Sequence, residues 1–197
     1  MSLERWCTTR RLTRDKLLEA PSDKIPPTYV FKKNVTVEIP SRGVLNRDSD
    51  ALVSQGLVWF TTDGSKTLEG TGAGVRGVRP RVELSFPLGK HASGFQAEMF
   101  AILACVSENL KRGYSNQHIQ ICTDSQAALH ALKSPRITSQ VVLECTNSLA
   151  ELGQRNKVRL VWVPGHCGVT GNKEADALAR KGSTDIFTGP EPAVGLP

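Results

Sequence analysis

No apolar run in the 197-residue chain approaches the roughly 20 residues that a helix needs to cross a bilayer. Nor do the first residues carry an apolar signal segment, since Arg10, Arg11 and Arg14 interrupt them. A spanning or secreted protein is thereby set aside. The expectation is an intracellular protein, nuclear or cytoplasmic, with no membrane partner. Cysteine is scarce and shows no pairing pattern: there are five, irregularly spaced, with no CxxC pair. That argues against a disulfide framework and against a structural zinc site. Cys105, Cys122 and Cys145 sit in apolar surroundings and are expected to be core thiols. Acidic residues are outnumbered, leaving a formal net charge of +6 and a pI of about 9.2. The sign of that charge favours a polyanionic partner such as nucleic acid.

Hydrophobic residues make up 39% of the chain, enough for one ordinary domain with tails. Residues 1–55 are expected to be a linker or the remnant of a preceding domain, largely irregular. Arg10, Arg11, Arg14 and Lys16 form a basic cluster there, and Pro21, Pro26 and Pro27 break the chain. Only residues 29–39, with Val35, Val37 and Ile39, alternate well enough for one short strand. The globular part is expected over residues 56–183, followed by a loose Pro-rich tail over 184–197.

Leu57, Val58, Trp59 and Phe60 form a continuous apolar run, as a strand covered on both faces requires. Gly70, Gly72, Gly74 and Gly77 punctuate a second strand, and Val82, Leu84 and Phe86 alternate as a third. Their short connections imply an antiparallel meander. Phe95, Met99, Ile102, Val106 and Leu110 recur at helical spacing and predict a helix over 93–112, capped by Ser93 and stopped by Gly113. Ile119, Ile121 and Cys122 make a fourth strand that ends in Thr123-Asp124-Ser125. Helices over 126–133 and about 138–154 precede a fifth strand, 158–163. A last helix presents Ala175, Leu178 and Ala179 on one face, with Thr170 as its expected cap. The order is β-β-β-α-β-α-α-β-α.

Chemistry gathers at the strand ends. Asp63 and Asp124 each close an apolar strand behind a threonine, at the carboxyl edge where open α/β sheets place their sites. If those strands are parallel neighbours, the two carboxylates converge, and Glu98 and a carboxylate of the last helix can reach them. Four carboxylates without matching cations repel one another, so such a site needs divalent cations. Oxygen-only ligation points to magnesium or manganese rather than zinc. His166 lies in the Gly/Pro-rich loop 164–168, ahead of Asp176 on the last helix; a titrating group on a loop beside a fixed carboxylate suits proton transfer. Plainer accounts exist for each: a turn at Asp63, a helix cap at Asp124, a solvated flank at Glu98, surface charge at Asp176, and a surface histidine. A helical wheel puts Glu174 and Asp176 on opposite flanks of the apolar face and does not choose between them.

The combination of Thr62-Asp63-Gly64-Ser65, Ala97-Glu98, Thr123-Asp124-Ser125 and the stretch Trp162 to Arg180 resembles a type 1 ribonuclease H domain. The resemblance covers about residues 56–183. It implies a ribonuclease H-like α/β fold: a five-stranded mixed sheet, three antiparallel strands then two parallel ones, flanked by helices. It implies hydrolysis of the RNA strand of an RNA/DNA hybrid with two Mg2+ ions, Mn2+ being able to substitute, to leave 3′-hydroxyl and 5′-phosphate ends. Asp63, Glu98, Asp124 and Asp176 match the metal ligands, and His166 matches the loop histidine that aids proton transfer or product release. Gly64, Ser65, Ser93 and Gln126 match contacts to the nucleic acid.

Within the family, Phe95-Gln96-Ala97-Glu98, Trp162-Val163-Pro164-Gly165-His166-Cys167-Gly168 and Thr188-Gly189-Pro190-Glu191-Pro192 most resemble the domain that ends non-long-terminal-repeat retrotransposon polyproteins, with a reverse transcriptase domain as the implied neighbour of residues 1–55. Gly94 and Phe95 replace amides often found beside the serine, and residues 133–138 lack the basic, Trp-containing handle of bacterial members. Two other readings share the fold: a domesticated relic that binds nucleic acid without cutting it, and an integrase or transposase.

Overall fold

The computed structural model describes residues 22–40, 56–61, 64–165, 169–187 and 194–197. Among them the strands are β1 (Lys24–Tyr29), β2 (Thr36–Glu38), β3 (Leu57–Thr61), β4 (Ser65–Lys66), β5 (Thr71–Arg79), β6 (Val82–Pro87), β7 (His118–Thr123), β8 (Arg136–Ser139) and β9 (Lys157–Trp162). The helices are α1 (Gly94–Lys111), α2 (Gln126–Lys133), α3 (Gln140–Arg155) and α4 (Thr170–Thr184). The five strands read from the sequence are β3, β5, β6, β7 and β9. They form the body of a seven-stranded sheet ordered β2-β9-β7-β3-β5-β4, with β6 also on β5. The pairs β3–β5 and β5–β6 are antiparallel, whereas β3–β7 and β7–β9 are parallel. This is the mixed sheet of a ribonuclease H-like α/β fold.

Alternation along the strands divides the core between the two faces. Trp59, Ile119, Ile121, Leu160 and Trp162 pack with α1, α2 and α3 in the larger cluster. Val58, Phe60, Cys122 and Val163 face the other way and meet Ala175 of α4. In β5 the same alternation sends Ala73 and Val75 to the larger cluster. Gly72 and Gly74 point at α4, where a Cβ on Gly74 would lie 2.2 Å from Ala175 O, and one on Gly72 equally near Ala179 O. The glycines of this strand therefore let a helix backbone rest directly on the sheet. Cys105, Cys122 and Cys145 are free and buried. Burial pushes the Cys122 thiol up to about 11 and raises the other two as well, so all three stay protonated and inert at neutral pH.

Four local expectations are corrected. The helix expected from about residue 138 begins at Gln140, because residues 136–139 are the strand β8. Ser139 is its N-cap, accepting from Val142 N. The N-cap of α4 is Val169, with no side-chain cap bond, and Thr170 is already helical. Part of the segment expected to be irregular is ordered: β1 pairs antiparallel with β8, while β2, within the stretch 29–39 read as one short strand, extends the sheet parallel to β9. The end of the tail expected to be loose is docked, with Val194 in the core and Leu196 bridged to Ser22. The basic cluster Arg10, Arg11, Arg14 and Lys16 lies outside the described residues.

The strap of residues 22–40 packs Val30, Val35, Val37 and Ile39 against the larger cluster and adds polar contacts. Lys33 Nζ donates to Leu132 O and to Ser134 O, the latter at 2.7 Å, so an ammonium sits on the carboxyl end of α2. Partial burial lowers the pKa of Lys33. Asn34 Nδ2 donates to Ala150 O at 2.8 Å. Asp23 is buried; its Oδ1 accepts from Val141 N at 2.9 Å and its Oδ2 from Ser139 Oγ at 2.7 Å. A carboxylate from the strap thus caps the amino end of α3, where its charge is favoured. Asp23→Ala is expected to lower stability by about 2 kcal/mol, read as a reduced urea midpoint at unchanged slope. An unchanged midpoint would mean that the strap contributes nothing to the folded domain.

Candidate functional site

The carboxyl ends of β3, β7 and β9 come level. Thr61 pairs with Thr123, and Thr123 with Trp162. Beyond that line the chain is fixed by backbone bonds: Val163 N donates to Thr123 O at 2.9 Å, and Trp162 Nε1 to Asp124 O at 3.0 Å. Asp124 therefore leaves the edge of the parallel strands in a held position. Ser125 caps α2 by accepting from Ala128 N at 3.0 Å, so the plainer account of Asp124 as the cap of that helix does not hold.

Two neutral side chains tie the carboxylates to one another's elements. Ser125 Oγ donates to Glu98 Oε2, joining the start of α2 to α1. Asn172 Nδ2 donates to Asp124 Oδ2 at 2.9 Å, joining α4 to the end of β7. Asp176 follows Asn172 by four residues on α4, which places it on the same helical face one turn further. Glu174 is turned to β5, where its carboxylate pairs with Arg76 Nε at 2.7 Å; Arg76 also pairs with Glu83. The structure thus separates the two acids that the helical wheel left equivalent.

Asp63 and His166 lie outside the described residues. Thr61 and Gly64 on either side of residues 62–63, and Gly165 before His166, are described. Thr61 is in register with Thr123, and Gly64 packs against α1 so closely that a Cβ there would lie 2.2 Å from Ala97 Cβ. Gly165, the residue before His166, lies against Asp124; a Cβ on it would meet Asp124 Oδ2 at 3.3 Å. Among the described residues no group of three or more His, Cys, Asp or Glu stands close enough to hold a metal ion. The donor chemistry nevertheless fits a hard cation. Glu98, Asp124 and Asp176 offer only oxygen, and the hydrogen bonds from Ser125 and Asn172 orient two of these carboxylates without cancelling their charge.

The residues matched to nucleic-acid contacts are spread around this edge. Gln126 is exposed in the first turn of α2. Ser93 forms a capping box with Gln96: its hydroxyl accepts from Gln96 N at 3.2 Å, and Gln96 Oε1 accepts from Ser93 N at 2.9 Å. Its hydroxyl is therefore engaged in the helix cap. Ser65 begins β4 and its hydroxyl lies 3.4 Å from that of Ser183.

Asn172 and Ser125 are site residues that the sequence reading missed. The signal for Asn172 was available: it precedes Asp176 by one helical turn and would face the same way. It is 4% exposed, and its Oδ1 has no hydrogen-bond partner among the described atoms. One end of this buried amide is committed to Asp124, which ties α4 to the end of β7. Asn172→Ala is expected to cost about 1–2 kcal/mol through the loss of a hydrogen bond to a charged group. Asn172→Asp, which sets a second carboxylate against Asp124, should cost more at neutral pH. Thermal unfolding of both variants checks the order; an aspartate variant as stable as wild type would show that Asp124 is not held by this amide.

Comparison with known proteins agrees with this geometry. The RNase H family model matches residues 54–184, which takes in β3 through α4 and every residue discussed at the strand ends. The strap of residues 22–40, with β1 and β2, lies outside that match. Covering well over half of the chain, the match shows that this protein belongs to the RNase H family, whose activity is cleavage of the RNA strand of RNA/DNA hybrids.

Proposed function

We propose that the chain is an active endoribonuclease that hydrolyses the RNA strand of hybrids with divalent metal ions and leaves 3′-hydroxyl and 5′-phosphate ends. The observation that supports this reading best is the pair of neutral links, Ser125 to Glu98 and Asn172 to Asp124, which hold a carboxylate of α1 and one at the end of β7 by side chains from α2 and α4. Asp63, Glu98, Asp124 and Asp176 would hold two Mg2+, or Mn2+ in their place. Bound there, the ions supply Lewis-acid chemistry: an activated water and a stabilised leaving oxygen. The protein's own part is orientation. Ser125 fixes Glu98, Asn172 fixes Asp124, and the rigid seat of α4 on β5 fixes Asp176. His166 serves as a proton carrier or product escort on its loop. Gly64, Ser65, Ser93 and Gln126 form the surface that meets the hybrid, with choice of RNA resting on 2′-hydroxyl contacts.

In context, the domain would act beside a reverse transcriptase domain in a retrotransposon-derived protein. Residues 95–98, 162–168 and 188–192 support that placement by resemblance alone. Expression beside a reverse transcriptase from such an element, followed by a test for faster hybrid removal during synthesis, would check it.

The direct test is magnesium-dependent cleavage of a hybrid by the purified chain, against both homoduplexes. Hybrid RNA alone should be cut, and equal cleavage of double-stranded DNA would overturn the reading. Asp63→Asn and Asp124→Asn should abolish cleavage. Their stability without metal should hold or rise, because one repelling charge is removed and the amide oxygen at position 124 can still accept from Asn172. His166→Ala should slow turnover by about 10²–10⁴-fold and leave measurable cleavage. A His166→Ala variant as inactive as Asp124→Asn would give the histidine a ligand role instead.

A further inference from the structure

The strap carries one feature that neither folding nor the candidate site uses. Tyr29 and Phe31 are 57% and 79% exposed, and their rings stack with centroids 6.1 Å apart and planes 13° from parallel. Their neighbour Val30 faces the core, and Val30 N donates to Pro135 O at 2.8 Å. The backbone that presents the two rings is therefore fixed on the domain. Large aromatic side chains held in water by a fixed backbone are unfavourable unless something lies on them.

The surroundings identify the chemistry of that occupant. Tyr29 stands opposite Arg136 in the β1–β8 pair, and Arg136 is exposed, as are Lys32, next in the chain to Phe31, and Lys133, at the end of α2. Residues 28–36 and 130–139, which include the end of the β1–β8 pair at Tyr29 and Arg136, contain no Asp or Glu, and Asp23 at the other end of that pair is engaged with Ser139 and Val141. Flat apolar faces with cations beside them and no anions suit a polyanion that carries planar bases. Stacking requires bases that are unpaired, because those in a duplex already stack on one another. The position also fits. The patch lies at the far end of α2, an eight-residue helix that spans roughly 12 Å from Ser125 at the candidate site.

We propose that Tyr29 and Phe31, flanked by Lys32, Lys133 and Arg136, form a stacking platform for an unpaired nucleic-acid strand that runs on from the hybrid. The proposal rests on the hybrid-cleavage reading for its biological sense, but its test reads binding without cleavage. The full chain, in chelator, is titrated with a labelled oligothymidylate and with an abasic strand of the same length. The base-bearing strand should bind about tenfold or more tightly. Tyr29→Ala/Phe31→Ala should abolish that preference and leave the weaker, salt-sensitive affinity for both strands, while cleavage of a blunt hybrid is unchanged. Tyr29→Trp/Phe31→Trp should keep the preference.

Equal affinity of the wild-type chain for the two strands would overturn the proposal, and so would a preference that survives the double alanine variant. Loss of blunt-hybrid cleavage in the alanine variant would also overturn it, by making the rings part of the duplex cleft or of the fold. Self-association of wild type that the alanine variant lacks, without base-dependent binding, would assign the patch to protein contact instead. A chain that shows the preference but cuts no hybrid would refute the catalytic reading and leave the platform standing.

Discussion

Everything at the candidate site depends on how closely α4 lies on β5. A helix normally stands about 10 Å from a sheet because side chains fill the gap. Here the gap is closed at Gly72 and Gly74, whose missing Cβ atoms leave room for the carbonyls of Ala179 and Ala175. Gly171 repeats the device against the ring of Phe60. With three such contacts the helix has little freedom to slide or rotate. That fixed seat sends Glu174 to Arg76 and brings Asn172 to Asp124. A methyl group at Gly74 would move the backbone of α4, and with it two side chains that face the strand ends. The glycines are thus as much part of the site as the carboxylates, although none of them carries a functional group.

The other face is arranged on the same logic with different means. There α1 approaches through Ala97, the residue before Glu98, which meets Gly64. Small residues next to an acid let the acid come near the sheet edge without a long, mobile side chain to carry it. Glu98 is then held by the hydroxyl that also caps α2, so one serine sets both a helix start and a carboxylate. The site is consequently stiff before anything binds.

Much of this was legible in the sequence, and the reason is local. The five principal strands, α1 and α2 follow from periodicities of two and about 3.6 and from stop signals such as Gly113 and Ser134-Pro135, all of which act within a few residues. Asp124 and Glu98 were legible because strand ends and an acid on an apolar helix face stand out. What failed to show was long-range. The strap has two adjacent prolines in β1 and only three residues in β2, so its own sequence argues for irregularity. Its order comes from partners more than a hundred residues away: Asp23 on Ser139 and Val141, Lys33 on Ser134, Asn34 on Ala150. Nothing within residues 22–40 announces those partners.

The same distinction explains Asn172 and the aromatic pair. An asparagine in the first turn of a helix reads as a capping or solvated residue, and only the neighbouring strand end turns it into a support for Asp124. Tyr29 and Phe31, alternating with Val30, read as half of an ordinary buried strand. Burial depends on what covers the second face, and among the described residues β1 has only β8 beside it. A two-stranded ribbon laid on a domain must leave one face in water, and the alternation decides which residues that face receives. At the end of β1 and just beyond it that face receives the rings of Tyr29 and Phe31, where a solvated ribbon would ordinarily carry polar side chains. That departure from the expected pattern is local in the sequence but acquires meaning only from the fold, since the same two rings on a central strand would be unremarkable core.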